Sequence, residues 1–229
     1  MPGPGPGVCH TCRGPASGGR SVCFACRLVA RRLGLPLAPV VPARLCPLPS
    51  PLYTVLLGYK ESPVAAARAR FGVLVRELLR AFLLDHGGQI EATVDGPLDV
   101  VALVPSTHRL GPAPLGLVAG LGGAVATVVP AARWAPYLLR RAALAGGPPP
   151  VAHMRPHPAA FIVPERDRAA IAGARVLVLD DTYVSGARSQ SAAAALKLAG
   201  ARPVIAPLGR VLRPDRVVLH AEFLRRHAA

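Results

Sequence analysis

The chain predicts an α/β protein, a parallel sheet flanked by helices with a small four-cysteine module at its N-terminus. Three observations carry that expectation. An apolar strand, a helix and a second apolar strand follow one another from Val176 to Leu208. A separate β-branched run, Asp99–Pro105, has the character of a buried strand. Two CxxC pairs stand at Cys9/Cys12 and Cys23/Cys26.

Taken in order, residues 1–8 are Pro/Gly repeats with no core-forming pattern. The cysteines follow. Two CxxC knuckles can bring four thiolates around a tetrahedral Zn²⁺, a closed and therefore structural site. A pair of disulfides is the main alternative, and the clustering in a chain expected to be cytoplasmic favours metal. His10 sits inside the first knuckle and can replace a thiolate or simply face solvent. Cys46 has no partner in the pattern. A short helix ends at Gly34, and residues 1–35 form the expected zinc module. Residues 36–229 form the second expected unit, opening on a proline-rich linker over 36–52.

The clearest helix starts at Ser62 as N-cap with Pro63 as its first residue. Phe71, Leu74, Val75, Leu78, Leu79, Phe82 and Leu83 recur at helical spacing, and Gly87 and Gly88 are the expected stop. After the Asp99–Pro105 strand come a short helix near Leu115–Leu121 and a strand over Ala124–Val129. Residues 130–160 read as irregular and rich in Arg, His and Pro. Val176–Leu179 is then a strand, Ser189–Ala199 a helix stopped by Gly200, and Pro203–Leu208 a parallel strand. The segment "RVVLHAEFL", 216–224, reads as one more strand.

With 229 residues, 52% hydrophobic, the chain can bury a sizeable core. Its net charge of +15 attracts phosphate, whether on nucleotides, nucleic acid or anionic membrane. Few aromatics are present for base stacking, and a solvated Arg-rich surface is the plainer alternative. The start lacks the charged and apolar regions of a signal peptide. No apolar run reaches about 18 residues free of charge and proline, so no membrane insertion is expected.

The stretch "VLVLDDTYVSGARS", Val176–Ser189, concentrates the chemistry. Adjacent carboxylates repel, and at the carboxyl end of a parallel strand they lie where α/β sheets bind ligands. Small residues and Gly186 let the loop backbone turn its N–H groups inward, and the helix that follows points its positive end at the same place. That makes a phosphate cradle, with the acids available to sugar hydroxyls. A purely structural Asp-Asp turn is the alternative.

This stretch resembles the phosphoribosyl-pyrophosphate (PRPP) motif of type I phosphoribosyltransferases. With the N-terminal CxxC pairs, nearly the whole chain resembles the ComF family, which is linked to competence and DNA uptake. The resemblance implies a type I phosphoribosyltransferase-like fold. It implies Asp180 and Asp181 on the ribose hydroxyls, and Val184, Ser185, Gly186, Ala187 and Arg188 around the 5′-phosphate. Val104, Pro105, Ser106 and Thr107 match the pyrophosphate loop, with Mg²⁺ arriving on the pyrophosphate. Tyr59-Lys60 matches a family stretch before the long helix. Thr182 and Tyr183 stand where aliphatics are usual, and Val184 and Arg188 where threonines are common. A transferase would move ribose 5-phosphate from PRPP to an acceptor, with Lys60 and Arg109 as candidate catalytic cations. Arg155, His153 and His157 are further loop candidates. For each cation a solvated basic face is the plainer alternative. The rival expectations are a non-catalytic protein that binds single-stranded DNA, a nucleotide or a DNA-uptake partner, and a PRPP-sensing regulator.

Overall fold

The computed structural model describes residues 3, 5–106, 113–142, 151–152 and 154–227. The chain forms α1 (Phe24–Leu33), β1 (Arg44–Pro47), α2 (Pro51–Glu61), α3 (Ala65–Ala92), β2 (Val100–Leu103) and a 3₁₀ turn (Pro114–Leu117). Then come α4 (Leu121–Val128), β3 (Arg133–Trp134), β4 (Arg140–Arg141), β5 (Phe161–Ile162) and α5 (Glu165–Ile171). The chain continues with β6 (Arg175–Tyr183), α6 (Ala187–Leu198), β7 (Arg202–Leu212) and α7 (Val218–His227).

Five strands make one sheet in the order β1-β7-β6-β2-β3, and every pairing is parallel. The α/β class and the parallel β6–α6–β7 unit stand as the sequence predicts. Successive side chains of a strand face opposite sides, and the core divides accordingly. Val101, Leu103, Leu177, Leu179, Val204 and Leu208 face α2, α3 and α4. Val100, Ala102, Val176, Val178 and Ile205 face α6, Ile171 and the four cysteines. Both faces are covered, which is why these strands read as continuous apolar runs rather than alternating ones.

Several expectations are corrected. Residues 36–52 are not a simple linker. Val41 and Ala43 donate to Ile205 and Pro207 carbonyls, and Arg44–Pro47 adds to β7 as an edge strand, where flanking prolines are tolerated. The Ser-Pro start signal operates at Ser50-Pro51, whose serine accepts from Tyr53 N. The second copy, Ser62-Pro63, follows α2, with Ser62 N donating to the Gly58 carbonyl. α3 runs through Gly87 and Gly88 to Ala92, because its apolar face continues to fully buried Ile90.

The Ala124–Val129 run is helical. Only Leu121 and Val125 of α4 are buried, an i,i+4 pair that makes one helical face. Residues 130–160 contain β3, which extends the main sheet, and β4, which pairs antiparallel with β5. Most of the 216–224 segment is helical, from Val218 on in α7, where Phe223 is buried and Val218 is 74% exposed. Among the described residues no helix is long and apolar enough to cross a membrane.

Candidate functional site

β6 and β7 are longer than the sequence predicts, and that difference shapes the site. β2 pairs with β6 only as far as Leu103↔Leu179, with Val104 N adding a bond to the Leu179 carbonyl. β6 continues against β7 to Tyr183↔Arg210. Asp180 and Asp181 therefore lie within β6, just beyond the carboxyl end of β2. The chain connects β2 outward to β3 and β6 outward to β7, so the acids stand at the switch point of the strand order, where open α/β sheets bind ligands.

The two carboxylates are buried, at 4% and 1% exposure. They are held by cations and hydroxyls of the chain itself. Arg188 Nη2 bridges them, 2.6 Å from Asp180 Oδ1 and 3.1 Å from Asp181 Oδ1. Lys60 Nζ lies 2.8 Å from Asp181 Oδ2, and the Tyr59 hydroxyl donates to the same oxygen at 2.7 Å. Ser189 donates to Asp180 Oδ2 at 2.6 Å, and Thr182 to Asp181 Oδ1 at 3.0 Å. Two carboxylates thus meet two cations, which is what makes their burial tolerable.

Burial pushes Asp180 up to about 6, with Arg188 opposing and the neighbouring Asp181 adding. Burial also opposes ionisation of Asp181, but Arg188 and Lys60 outweigh it and hold that carboxyl below the usual carboxylate range. Burial and the Asp181 charge push the Tyr59 phenol far up, so it remains a hydrogen-bond donor.

Above the acids the chain turns through Val184–Gly186 into α6. Gly186 has φ +83°, the left-handed region that favours glycine, and a Cβ there would collide with the Tyr183 hydroxyl. The first amides of a helix have no intrahelical acceptor, and here they open on a pocket of about 490 Å³. Thr182, Val184–Ser189, Ala152 and Arg213 are among its lining residues. Ser185 Oγ accepts from Met154 N at 3.1 Å and Ala187 N at 3.4 Å, which ties the loop to Met154. On the far side of Lys60 a groove of about 920 Å³ runs between the α2–α3 junction and Leu117–Ala119.

The structure brings together Lys60, Asp180, Asp181 and Arg188, with Ser185, Gly186 and Ala187 next to them. Val184 is exposed at the loop tip. Pro105 and Ser106 are buried and leave the sheet beside β6, whereas Thr107, Arg109 and His153 lie outside the described residues. Arg155 and His157 are exposed. Sequence reasoning missed Ser189 as a partner of Asp180, and it assigned Tyr59 no contact. The demand for two counter-cations near two adjacent acids is the signal that points to such a shell. It also missed Arg210, a buried arginine in the otherwise apolar interior of β7.

The second site is the cysteine cluster. Cys9, Cys12, Cys23 and Cys26 are all buried and unbridged, with their four Sγ atoms within 4.8 Å of one another. Zn–S bonds of about 2.3 Å in a tetrahedron require S···S edges of roughly 3.8 Å, and Cys12 and Cys23 stand 3.8 Å apart. The group can hold a zinc ion. Its backbone supports that geometry: Cys23 N donates to Cys9 Sγ at 3.3 Å and Cys26 N to Cys23 Sγ at 3.5 Å. Hydrogen bonding to Cys23 and Cys26, with the Arg210 charge adding, holds the Cys12 thiol down to about 6. His10 is exposed. Cys46 lies apart, hydrogen-bonded to Ser50, and burial raises its thiol.

Comparison with protein-family models, with curated proteins and with solved structures finds no match for this chain.

Proposed function

We propose that this chain binds PRPP or a related ribose 5-phosphate at the Thr182–Ser189 loop, in a cytoplasmic, type I phosphoribosyltransferase-like protein of the ComF kind. A structural Zn²⁺ would sit at Cys9, Cys12, Cys23 and Cys26. The observation that carries the reading is the buried Asp180–Asp181 pair below a glycine-turned helix start, at the switch point of a parallel sheet.

The residues divide the work. The Ser185–Arg188 amides and the start of α6 hold the 5′-phosphate. Arg188, 22% exposed, turns from the acids toward the phosphate, where its fork makes charge-assisted bonds. The acids it releases accept from the ribose hydroxyls, while Lys60 keeps Asp181 ionised. Mg²⁺ bound to the pyrophosphate would offset part of its negative charge. In a transfer reaction the anomeric C–O bond to pyrophosphate breaks and an acceptor nucleophile attacks the oxocarbenium-like carbon. The groove beside Lys60 leaves room for that acceptor.

Calorimetry with PRPP and Mg²⁺ tests the binding step. Wild type should release heat, and the Asp180→Asn/Asp181→Asn double variant should bind at least tenfold more weakly, having lost charge-assisted acceptors. Equal heats in both proteins, or none in either, would sink the reading.

The net charge of +15 favours a second reading, a nucleic-acid binder that performs no transfer. That protein would lose affinity for single-stranded DNA steeply as salt rises, and would do so equally in the double-Asn variant.

A further inference from the structure

One buried side chain, Arg210, joins the cysteine cluster to the loop. It stands on β7 opposite Tyr183 of β6, with 4% exposure. Its Nη2 donates to Cys12 Sγ at 3.6 Å. Its Nη1 reaches the carbonyls of Tyr183 at 3.1 Å, Val184 at 2.8 Å and Val211 at 2.8 Å. Tyr183 and Val184 are the residues through which β6 becomes the loop.

The Arg210 guanidinium also lies over the Tyr183 ring, 5.4 Å from its centre. That ring supports the loop from beneath, with its hydroxyl filling the space a side chain at Gly186 would need. Gln190, on α6, donates to the Tyr183 hydroxyl at 3.4 Å. Gly14, between the two CxxC pairs, lets Arg210 in, because a Cβ there would stand 2.7 Å from Nη2. A second strut runs parallel: Arg32 of α1 donates to the Met154 carbonyl at 2.7 Å, and Met154 N donates to Ser185 Oγ.

Charge gives this contact its direction. A guanidinium buried so deeply needs an anion. Among the described residues no carboxylate lies within ion-pair distance of Arg210, and the anionic partner within its reach is Cys12. A tetrathiolate zinc carries a net charge of about −2, and N–H donors to its sulfurs both orient the ligands and strengthen the site. Arg210 Nε is buried without a hydrogen-bond partner, so the hydrogen bonds of this side chain run through its two Nη groups.

We propose that Arg210, with Tyr183, is a positioning pair that couples metal occupancy at the four cysteines to the conformation of the Val184–Arg188 loop. The proposal rests on the reading of that loop as a phosphate site. By linkage, whatever the metal does for the loop, a loop ligand does for the metal. It also gives Tyr183 a task no aliphatic side chain at its position can perform, since only a ring offers a face to the arginine and a hydroxyl to the space under Gly186.

The test uses the full chain loaded with zinc, and compares wild type with Arg210→Met and Tyr183→Leu. Zinc affinity is read by competition with a chromophoric chelator. Hydrogen exchange is read for the 184–189 loop and, as internal reference, for β2. Arg210→Met should weaken zinc by about 10- to 100-fold. It should also raise loop exchange roughly tenfold or more, with β2 unchanged. Tyr183→Leu should raise loop exchange with a smaller effect on zinc, because the arginine–thiolate bond remains.

Loop exchange at the wild-type rate in both variants overturns the coupling. So does exchange that rises equally in β2, which would mean general loosening. The exchange measurement needs no ligand. If zinc-loaded wild type gives no heat with PRPP, the phosphate reading falls and the coupling is still decided.

Discussion

At Cys9, Cys12, Cys23 and Cys26, four acidic side chains converge with one cation of the chain, Arg210, in contact. At Asp180 and Asp181 two acids converge with two, Lys60 and Arg188. The two places face the same electrostatic problem, like charges crowded out of water, and differ in where the compensation comes from. The aspartates are neutralised from within, so their geometry needs no ligand to persist. The cysteines have only Arg210 as a cation in contact, and their geometry can hold a further cation from outside. At one site the cations are built into the chain, and at the other four buried thiols are grouped closely enough to hold a metal ion.

That contrast breaks first at the metal. Structural zinc supplies on the order of 10 kcal/mol of folding free energy. Freshly purified, unchelated protein should therefore carry about one zinc per chain. Chelation or Cys26→Ser should lower the urea midpoint more than any single change at the aspartates. Elemental analysis and paired urea titrations decide it, and metal-free protein with an unchanged midpoint would refute it.

The next largest effect is expected at Arg188. Arg188→Met leaves a buried carboxylate pair with Lys60 alone and should cost about 3–5 kcal/mol near pH 8. The cost should shrink in acid, and the sign follows from Asp180. Its folded pKa, about 6, lies above the unfolded value of roughly 3.9. Between those values the folded chain keeps a proton the unfolded chain has released. The contribution of Asp180 to stability is thus complete below the unfolded pKa and is lost as pH rises through about 6. Asp181 works oppositely: its depressed pKa contributes stability above the unfolded value that is lost as pH falls. Removing Arg188 pushes Asp180 further up, so the variant should lose stability more steeply than wild type from pH 5 to 8. A penalty independent of pH would assign it to lost packing instead.

The comparison also separates what local pattern can carry from what only the folded chain decides. The CxxC spacing holds its chemistry within 18 residues, Cys9 to Cys26, and the β6–α6–β7 unit repeats one strand signal on either side of an alanine-rich helix. Both are legible because the interacting residues are neighbours in sequence. One cationic partner of Asp181 is 121 residues away at Lys60, and no periodicity connects them. Arg188 was legible as a cation near the loop, but whether it faces a phosphate or the acids is set by tertiary distance. The valine-rich run of α4 and the 216–224 segment failed for another reason. β-branched residues resemble strand until burial shows that only one helical face, or Phe223 with Leu224, meets the core.

The smallest expected effect lies at the other end of the sheet. Asp99, just before β2, accepts from Arg175 at the start of β6 through Nε at 2.9 Å, Nη2 at 3.0 Å and the backbone N at 2.8 Å. These bonds to Arg175 hold its carboxyl down to about 2. The arrangement is as well formed as the Arg188 bridge, yet the Asp99 side chain is 40% exposed and sits at the amino edge of the strands, away from the switch point. Solvent screens such a pair, and Asp99→Asn should change stability by less than about 1 kcal/mol. What it does contribute should vanish only in acid, as pH falls toward about 2. Ligand heats in the Asp99→Asn variant should equal those of wild type. If they fall as far as in the Asp180→Asn/Asp181→Asn protein, the loss there cannot be assigned to the carboxyl end of the sheet. An acid–arginine pair would then affect binding through sheet stability wherever it stood, and position at the switch point would explain nothing.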